Sequence, residues 1–96
     1  MNCAAVIPCL NEASHIGAVV RSVFPFLPRI IVVDDGSTDA TSREASIAGA
    51  EVIRRERNSG KGSAVQTGLG HAHNCGFEWA LLMDGDGQHV ASDIPK

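Results

Sequence analysis

The chain has 96 residues, a formal net charge of −3 and 44% hydrophobic residues. This length allows one small domain, and the composition is that of a globular chain and not of a disordered one. The mildly acidic balance gives no reason to expect a nucleic-acid partner, and no apolar run approaches the ~20 residues of a membrane-spanning helix. The N-terminus lacks a basic segment followed by a long apolar stretch, so a secretory signal is not predicted.

The chain contains three cysteines, Cys3, Cys9 and Cys75, which are odd in number and widely spaced. This pattern favours buried, reduced thiols in a cytoplasmic protein. His71 and His73 precede Cys75, but their spacing matches no zinc site, and residues i and i+2 do not share a helix face. We therefore expect structural histidines there.

The first predicted strand covers residues 3–8 and is apolar on both faces, as a buried parallel strand is. Pro8 cannot donate to a β-ladder and is expected to end this strand. Apolar residues at helical spacing then predict a helix over residues 16–24, which Pro25 and Pro28 close.

The loop between this strand and this helix contains Asn11, Glu12 and Ser14. Asn11 and Ser14 are residue types that cap helices. The loop is therefore either a simple helix cap or part of a binding site, and both interpretations stay open here.

The second predicted strand covers residues 29–33 and leads directly to Asp35. A carboxylate at the tip of a buried strand can accept N–H donors from a nucleobase or O–H donors from a ribose. The alternative is that the polar group after the strand only caps the next helix. Thr38 or Asp39 is the predicted cap, and that helix runs to about Ala48.

The third predicted strand covers residues 51–54, and a glycine-rich loop over residues 57–62 leads into a third helix. A cation, Lys61, and exposed backbone N–H groups at a helix start suit a phosphate. The glycine spacing is not that of a P-loop. Lys61 is therefore either a phosphate contact or a solvated loop residue.

The fourth predicted strand, residues 77–83, delivers Asp84 and Asp86 into a glycine-rich turn. Residues i and i+2 of an extended segment point the same way, so both carboxylates can face one ligand. Two carboxylates at such a short distance raise each other's pKa unless a cation lies between them. Mg²⁺ or Mn²⁺ would satisfy them, because these ions take carboxylate and phosphate oxygens together. A solvated acidic turn is the alternative.

The alternation of strands and helices predicts an α/β fold with an open, mostly parallel sheet and helices on both faces. Ligands of such sheets bind at the carboxyl ends of the strands, which is where Glu12, Asp35 and residues 84–86 fall. Ser92 or Asp93 is predicted to cap a further helix. Because the chain then stops, we expect it to be a fragment of a longer protein.

Four segments resemble the family 2 glycosyltransferases, whose nucleotide-binding fold is called GT-A. These segments, in chain order, are residues 6–12 (VIPCLNE), 32–39 (VVDDGSTD), 58–62 (NSGKG) and 83–89 (MDGDGQH). The last of them is most similar to the branch that loads sugars onto polyprenyl or dolichyl phosphate. The resemblance implies that residues 1–96 are the N-terminal, Rossmann-like nucleotide-sugar-binding part of a glycosyltransferase domain, truncated after the Asp-x-Asp motif.

The resemblance also implies a nucleotide-sugar site. Its residues in this chain are Pro8, Leu10, Glu12, Asp35, Lys61, Asp84, Gly85 and Asp86. Pro8, Leu10 and Glu12 would line the pocket for the base and ribose, and Asp35 would hydrogen-bond the nucleobase. Leu10 stands where the family often has an aromatic residue.

For the metal, the resemblance implies Mg²⁺ or Mn²⁺ bound by Asp86 on the diphosphate, with Asp84 and Gln88 as further ligands. Gly85 replaces an alanine that is common in the family, which we expect to be a small change.

The reaction implied is a metal-assisted inverting transfer from a UDP- or GDP-sugar to an acceptor such as polyprenyl phosphate. No catalytic residue is assigned within residues 1–96, because the general base and acceptor site of this family lie in its second half. We therefore expect the fragment alone to be inactive. The implied location is the cytoplasm or the cytoplasmic face of a membrane, with a role in glycan or cell-envelope biosynthesis and membrane association through a further region.

Two other classes also place carboxylates at strand ends. A haloacid-dehalogenase-like phosphatase would use Asp84 as nucleophile and Asp86 as acid, but it ordinarily has Thr or Val where Gln88 and His89 stand. A receiver domain, a signalling switch without enzymatic activity, would place its acidic pair after the first strand, where this chain has Glu12.

Overall fold

The computed structural model describes residues 2–27, 29–85 and 89–93, the last group through its backbone only. Three residues named above, Pro28, Asp86 and Gln88, lie outside this described part. The elements in chain order are β1 (Cys3–Cys9), α1 (Ile16–Val23), β2 (Ile30–Asp34), α2 (Thr41–Ile47), β3 (Glu51–Arg54), α3 (Lys61–Asn74), β4 (Trp79–Met83) and β5 (His89–Asp93).

The strands form one sheet in the order β3-β2-β1-β4-β5. Strands β1 to β4 pair in parallel, and β5 pairs with β4 in the antiparallel sense. The predicted α/β class with an open, mostly parallel sheet is confirmed. The chain first builds outward from β1 through β2 to β3 and then returns to the other side of β1 through α3. The sheet therefore reverses its strand order between β1 and β4.

Both faces of the sheet are covered, because alternate residues of a strand point to opposite faces. Ala5 and Ile7 pack in one cluster with α1 and α2, whereas Val6 packs on the other face with α3. Removal of a side chain such as Ile7 from water contributes roughly 1.5–3 kcal/mol to stability. Helix α3 lies so close to β1 that a Cβ on Gly68 would overlap Val6 Cγ1.

The fifth strand, β5, was not predicted from the sequence. Ser92 and Asp93, predicted as a helix cap, belong to β5, where Ser92 pairs with Ala80 and Asp93 with Trp79. The unpaired backbone edge of β4 explains the error, because a strand edge takes a partner through main-chain groups whatever its side chains are. No hydrophobic pattern in the partner is needed.

Several element boundaries also differ from the prediction. Strand β2 lies one residue later than predicted, and β4 begins at Trp79 and not at residue 77. Strand β1 continues through Pro8 to Cys9. Helix α2 begins at Thr41 with Ala40 as its N-cap, and not after Thr38 or Asp39. The Asp39 carboxylate instead accepts a hydrogen bond from the Thr41 backbone N–H at 2.9 Å, so it precedes the cap and stabilises the turn before the helix.

The cysteines are free, but only Cys9 is buried; Cys3 is half-buried and Cys75 is exposed, so the expectation of buried thiols was wrong for Cys75. His71 Nε2 lies 2.6 Å from Glu51 Oε2, an ion-pair geometry that fits a structural role. Within the described residues, no helix has the length and apolar character needed to cross a bilayer.

Candidate functional site

An open cavity of about 320 Å³ lies at the carboxyl ends of β1, β2 and β4. Its walls are formed by Pro8, Cys9, Leu10, Glu12, Asp35, Asn58, Lys61, Ala64, Asp84 and Gly85. This is the edge at which an open α/β sheet binds its ligands, beside the reversal of strand order.

The cavity opens where β1 and β4 part. Their pairing ends at Val6 and Leu82, while β1 stays paired with β2 as far as Cys9. The backbone carbonyl of Cys9 points toward β2 and accepts a hydrogen bond from the Asp35 N–H at 3.0 Å. The backbone N–H and C=O groups of successive residues in a strand point to opposite neighbouring strands. The backbone nitrogen of Pro8 therefore points toward β4. Proline is tolerated in mid-strand here because its missing N–H falls on the side where pairing has stopped.

The loops that follow β1 and β2 are joined by hydrogen bonds. Asn11 N–H donates to Ser37 Oγ at 2.8 Å, and Asn11 Oδ1 accepts from Thr38 N–H at 2.9 Å. Glu12 N–H donates to Thr41 Oγ1 at 2.9 Å. Asn11 therefore links two loops and does not cap α1. Its φ of 54° is a left-handed conformation that asparagine tolerates better than most residues.

Asp34 is fully buried and is occupied by the protein itself. Its carboxylate accepts hydrogen bonds from Ser37 N–H at 2.9 Å and from Ser42 Oγ at 2.5 Å, and it pairs with Arg54 at 3.0 Å. Burial favours the neutral acid, but these hydrogen bonds and the Arg54 charge outweigh it and lower the pKa of Asp34. Asp34 therefore supports the loop and is not part of the cavity wall.

Asp35 faces the cavity although it is only 4% exposed. Ser59 N–H donates to both of its carboxylate oxygens, at 3.1 and 3.2 Å, and Gly60 N–H donates to Oδ2 at 2.9 Å. Arg55 Nε lies 3.5 Å from Oδ1. A carboxylate has about four acceptor positions, so these three donors leave roughly one of them open. Asp35 thus holds the loop before α3 and keeps limited capacity for a ligand.

Asp84 and Lys61 face each other across the mouth of the cavity, and the Lys61 ammonium contacts Asp84 Oδ1. Within the described part of the chain, no three His, Cys, Asp or Glu side chains are arranged to hold a metal ion. A single carboxylate is nevertheless a usual protein contribution to Mg²⁺, which takes its other ligands from phosphates and water. The contact with a cation shows that Asp84 presents its carboxylate where positive charge can reach it, so this residue fits a role as metal ligand.

Glu12 and Gly85 are neighbours in the cavity wall. Glu12 Oε2 lies 3.2 Å from His15 Nδ1. A Cβ on Gly85 would lie 2.8 Å from Glu12 Cγ and 3.1 Å from Cys9 Cβ. The glycine that stands for a common alanine is therefore not the small change that we expected, because it makes room for Glu12.

Seven of the predicted nucleotide-sugar residues line this one cavity, namely Pro8, Leu10, Glu12, Asp35, Lys61, Asp84 and Gly85. The eighth, Asp86, lies outside the described residues, as does Gln88, the further predicted metal ligand. Whether these side chains bind a ligand stays a prediction. Leu10 is 38% exposed and presents an apolar surface to the cavity.

Three wall residues were not predicted, namely Cys9, Asn58 and Ala64. The strand pattern could have indicated Cys9, and the resemblance of residues 58–62 could have indicated Asn58. Burial, followed by the nearby Asp34 and Glu12 charges, raises the pKa of Cys9 to about 12, so the thiol is neutral at physiological pH. Nothing about Ala64 in the sequence could have indicated a place in the cavity wall, because its side chain is a single methyl group.

Residues 4–96 match the family described as "Glycosyl transferase family 2". The chain is 35% identical over 103 residues to dodecaprenyl-phosphate galacturonate synthase of Rhizobium johnstonii, covering 95% of this chain and 30% of that protein. It is 34% identical over 109 residues to UDP-N-acetylglucosamine–dolichyl-phosphate N-acetylglucosaminyltransferase of Methanococcus voltae, covering 95% of this chain and 43% of that protein.

Among solved structures, the chain is similar to glucosyl-3-phosphoglycerate synthase of Mycobacterium tuberculosis in complex with Mn²⁺, UDP-glucose and phosphoglyceric acid. The TM-score is 0.75 at 32% identity, and the match covers 88% of this chain and 33% of that one. The chain thus spans less than half the length of each of these three proteins.

Proposed function

Since this chain belongs to glycosyl transferase family 2, we propose that it forms the nucleotide-sugar-binding part of an enzyme that transfers a sugar from a UDP- or GDP-sugar to a polyprenyl phosphate. The transfer would invert the anomeric centre and use Mg²⁺ or Mn²⁺. The observation that carries the proposal is the gathering of three carboxylates from separate strand ends, Glu12, Asp35 and Asp84, around one cavity with Lys61.

The loops after β1 and β2 suit the nucleoside. Pro8 and Leu10 offer an apolar wall for the flat face of a base. The open acceptor position on the Asp35 carboxylate would take one N–H of that base, and the Glu12 carboxylate would accept hydrogen bonds from ribose hydroxyls. Because these loops are already bonded to each other, little ordering would oppose binding.

Asp84 and Lys61 suit the diphosphate end of the sugar donor. Asp84 would hold the divalent cation together with Asp86, which lies outside the described residues. A bound divalent cation would neutralise the charge that develops on the departing nucleoside diphosphate. Lys61, the first residue of α3, would add its ammonium to the same phosphates, beside the backbone N–H groups of the helix start.

The acceptor is proposed from chemistry and from relatives. Two similar proteins carry dodecaprenyl phosphate and dolichyl phosphate in their names. A phosphate oxygen is already a nucleophile, so it would attack the anomeric carbon without a general base, whereas a neutral hydroxyl would need one. Attack on the side opposite to the leaving diphosphate gives inversion. A lipid-linked acceptor would also locate the reaction at a membrane surface, and we propose the cytoplasmic face.

The two other classes fit less well. Membership of glycosyl transferase family 2 argues against both a phosphatase of the haloacid-dehalogenase type and a receiver domain. In addition, a phosphatase leaves Asp35 without a role, although it lines the same cavity as Asp84. A receiver would place its acidic pair after β1, whereas Asp34 and Asp35 lie at the end of β2.

The test is calorimetric titration of the full-length protein with a panel of UDP- and GDP-sugars, with Mn²⁺ and with a chelator. We expect binding of at least one sugar nucleotide that requires the metal. Asp84→Asn and Asp86→Ala should each weaken that binding at least tenfold, about 1.4 kcal/mol. Glu56→Gln removes an exposed carboxylate outside the cavity and serves as the matched control.

The acceptor is tested separately by incubating the protein with the sugar nucleotide, Mn²⁺ and either dolichyl phosphate, undecaprenyl phosphate or inorganic phosphate. Formation of a lipid-linked sugar of inverted anomeric configuration supports the proposal. Binding that ignores the metal, or transfer only to a non-lipid acceptor, would contradict the corresponding part of it.

A further inference from the structure

Each cavity carboxylate has a different kind of partner. Glu12 pairs with His15. Asp35 pairs with Arg55 and with two backbone N–H groups. No side chain of the cavity wall is among these partners. Asp84 pairs with Lys61, which itself lines the cavity. Among the ten described wall residues, Lys61 is the one with a cationic side chain.

This difference matters because the Asp84–Lys61 contact occupies the two groups that the diphosphate and its cation would need. A divalent ion on Asp84 would repel the Lys61 ammonium, since both carry positive charge. The same ammonium is attracted to phosphate oxygens. The Lys61–Asp84 contact therefore cannot persist unchanged once a nucleotide and a divalent ion are bound.

Lys61 is also free to move. Its side chain is 64% exposed, and that of Asp84 is 33% exposed, so their separation breaks little packing. The two glycines that flank it leave space, because a Cβ on Gly60 or on Gly62 would meet no atom within 4 Å. The lysine stem is flexible and its ammonium can form hydrogen bonds in several directions.

We propose that Lys61 is a built-in substitute for the divalent cation. In the ligand-free site it neutralises Asp84, and when the sugar nucleotide enters it leaves Asp84 for the diphosphate, so that the carboxylate becomes available to the metal. The inference rests on the proposed function and adds a coupling to it: the nucleotide and the metal bind together more readily than the metal binds alone.

The coupling has a definite sign. Lys61 competes with a metal ion that arrives alone, but it stops competing once a nucleotide has drawn it away. By thermodynamic linkage, UDP must then raise the affinity for the metal as much as the metal raises the affinity for UDP. Part of this mutual effect comes from direct metal–phosphate contact, and the remainder depends on Lys61.

The experiment compares full-length wild type with Lys61→Gln, using Mn²⁺ alone as one probe and UDP at saturating Mn²⁺ as the other. Free Mn²⁺ is followed by electron paramagnetic resonance and UDP binding by calorimetry. For Lys61→Gln we expect affinity for Mn²⁺ alone to rise by roughly twofold to fivefold, the scale of an exposed ion pair. Affinity for UDP should fall about tenfold, the scale of a hydrogen bond to a charged group.

Two further variants control for charge and for folding. Lys61→Arg keeps the positive charge and should stay within about twofold of wild type in both titrations, a difference near 0.4 kcal/mol. Arg57→Gln removes the same charge from the same loop, at an exposed residue that does not line the cavity, and should leave the Mn²⁺ affinity unchanged. Thermal unfolding of each variant confirms that it is folded.

The outcomes separate the two proposals. If wild type binds UDP with Mn²⁺ but Lys61→Gln does not bind Mn²⁺ alone more tightly, the inference about Lys61 is overturned and the proposed function stands. If wild type binds no uridine or guanosine nucleotide at any Mn²⁺ concentration, the proposed function fails and the inference fails with it. Opposite changes in the two affinities for Lys61→Gln support both.

Discussion

The loops that follow β1 and β2 are joined by several hydrogen bonds above a buried carboxylate, whereas Lys61 and Asp84 on the other side of the cavity are joined by one half-exposed ion pair. We call the first the loop side, residues 10–12 and 34–41, and the second the Lys61–Asp84 side. In the loop side, Asn11 and Glu12 are fixed to Ser37, Thr38 and Thr41. Under the proposed function, the nucleoside would therefore meet a preformed surface, and adjustment would be confined to the diphosphate end.

The largest effect on stability is expected for Gly36→Ala. This substitution disrupts the loop side at the point where Gly36 packs against the loop before α3. Gly36 has a φ of +86°, and an added Cβ would lie 2.8 Å from Asn58 N and 2.9 Å from Arg57 C. Backbone strain costs roughly 1–3 kcal/mol, and the clash with main-chain atoms adds to it. We expect a loss of about 2–4 kcal/mol in chemical denaturation.

Gly70→Ala is the matched control for that substitution. Gly70 lies within α3, and an added Cβ would meet no atom within 4 Å. Alanine is the better helix former by about 0.8–1 kcal/mol, so this variant should be slightly more stable than wild type. Equal effects of the two substitutions would show that Gly36 is not required by its surroundings.

The next effect is expected for Asp34→Asn, which weakens the support beneath the loop side. Hydrogen bonds to a charged group contribute roughly 1.5–3 kcal/mol, and part of that contribution should be lost at pH 7. Because the pKa of Asp34 is lowered in the folded state, its stabilising effect is complete above its unfolded pKa of about 3.9. The effect disappears as the pH falls through the lower folded pKa.

The measurement is the unfolding free energy of both proteins between pH 7 and pH 3. The difference between wild type and Asp34→Asn should shrink toward acid, because the Asp34 carboxylate is protonated in the unfolded chain at a higher pH than in the folded protein. Glu56→Gln, at an exposed carboxylate, should match wild type across the whole range. A gap between wild type and Asp34→Asn that persists unchanged at the lowest pH would mean that the charge of Asp34 is not what stabilises the loop.

Gly85→Ala tests the contact between the two sides of the cavity, because the added Cβ would lie only 2.8 Å from Glu12 Cγ. Insertion of a methyl group into a tight contact costs typically about 1 kcal/mol or more. We expect a loss near that value and a weaker affinity for the sugar nucleotide. In the double variant with Glu12→Ala, which removes Cγ, the stability cost of Gly85→Ala should be smaller. Additive costs in this double-mutant cycle would show that the two residues do not interact.

The smallest effect is expected for Lys61→Gln, which removes the ion pair of the Lys61–Asp84 side. An exposed ion pair contributes about 0.2–1 kcal/mol, so the unfolding free energy should change by less than 1 kcal/mol. A cost as large as that of Asp34→Asn would contradict the distinction drawn between the two sides of the cavity.

Much of the fold followed from local patterns. The apolar runs of β1 and β2 and the helical spacing of residues 16–23 predicted these elements to within one or two residues. Strand β5 did not follow, because its place depends on the open edge of β4 and not on its own side chains. The exposure of Cys75 at the end of α3 was equally invisible, since the residue type alone suggests burial.

For the site, the pair Asp34 and Asp35 is the clearest example. The two residues are adjacent and chemically identical, but Asp34 is enclosed by Ser37, Ser42 and Arg54, whereas Asp35 lines the cavity. Alternation along a strand predicts that they point in different directions. It does not say which of them faces a ligand.

The sequence by itself determined which edge of the sheet carries the cavity and which strand ends bring carboxylates to it. The physical reason is that the carboxyl ends of parallel strands meet at one edge, and the acidic side chains of this chain follow those ends. The tertiary structure alone decided what Asp35 and Asp84 contact. Asp35 binds the backbone of Ser59 and Gly60, 24 and 25 residues away, and Asp84 meets Lys61 at a separation of 23 residues. Such partners are brought together by the packing of α3 against β1, and no local pattern in the chain encodes that meeting.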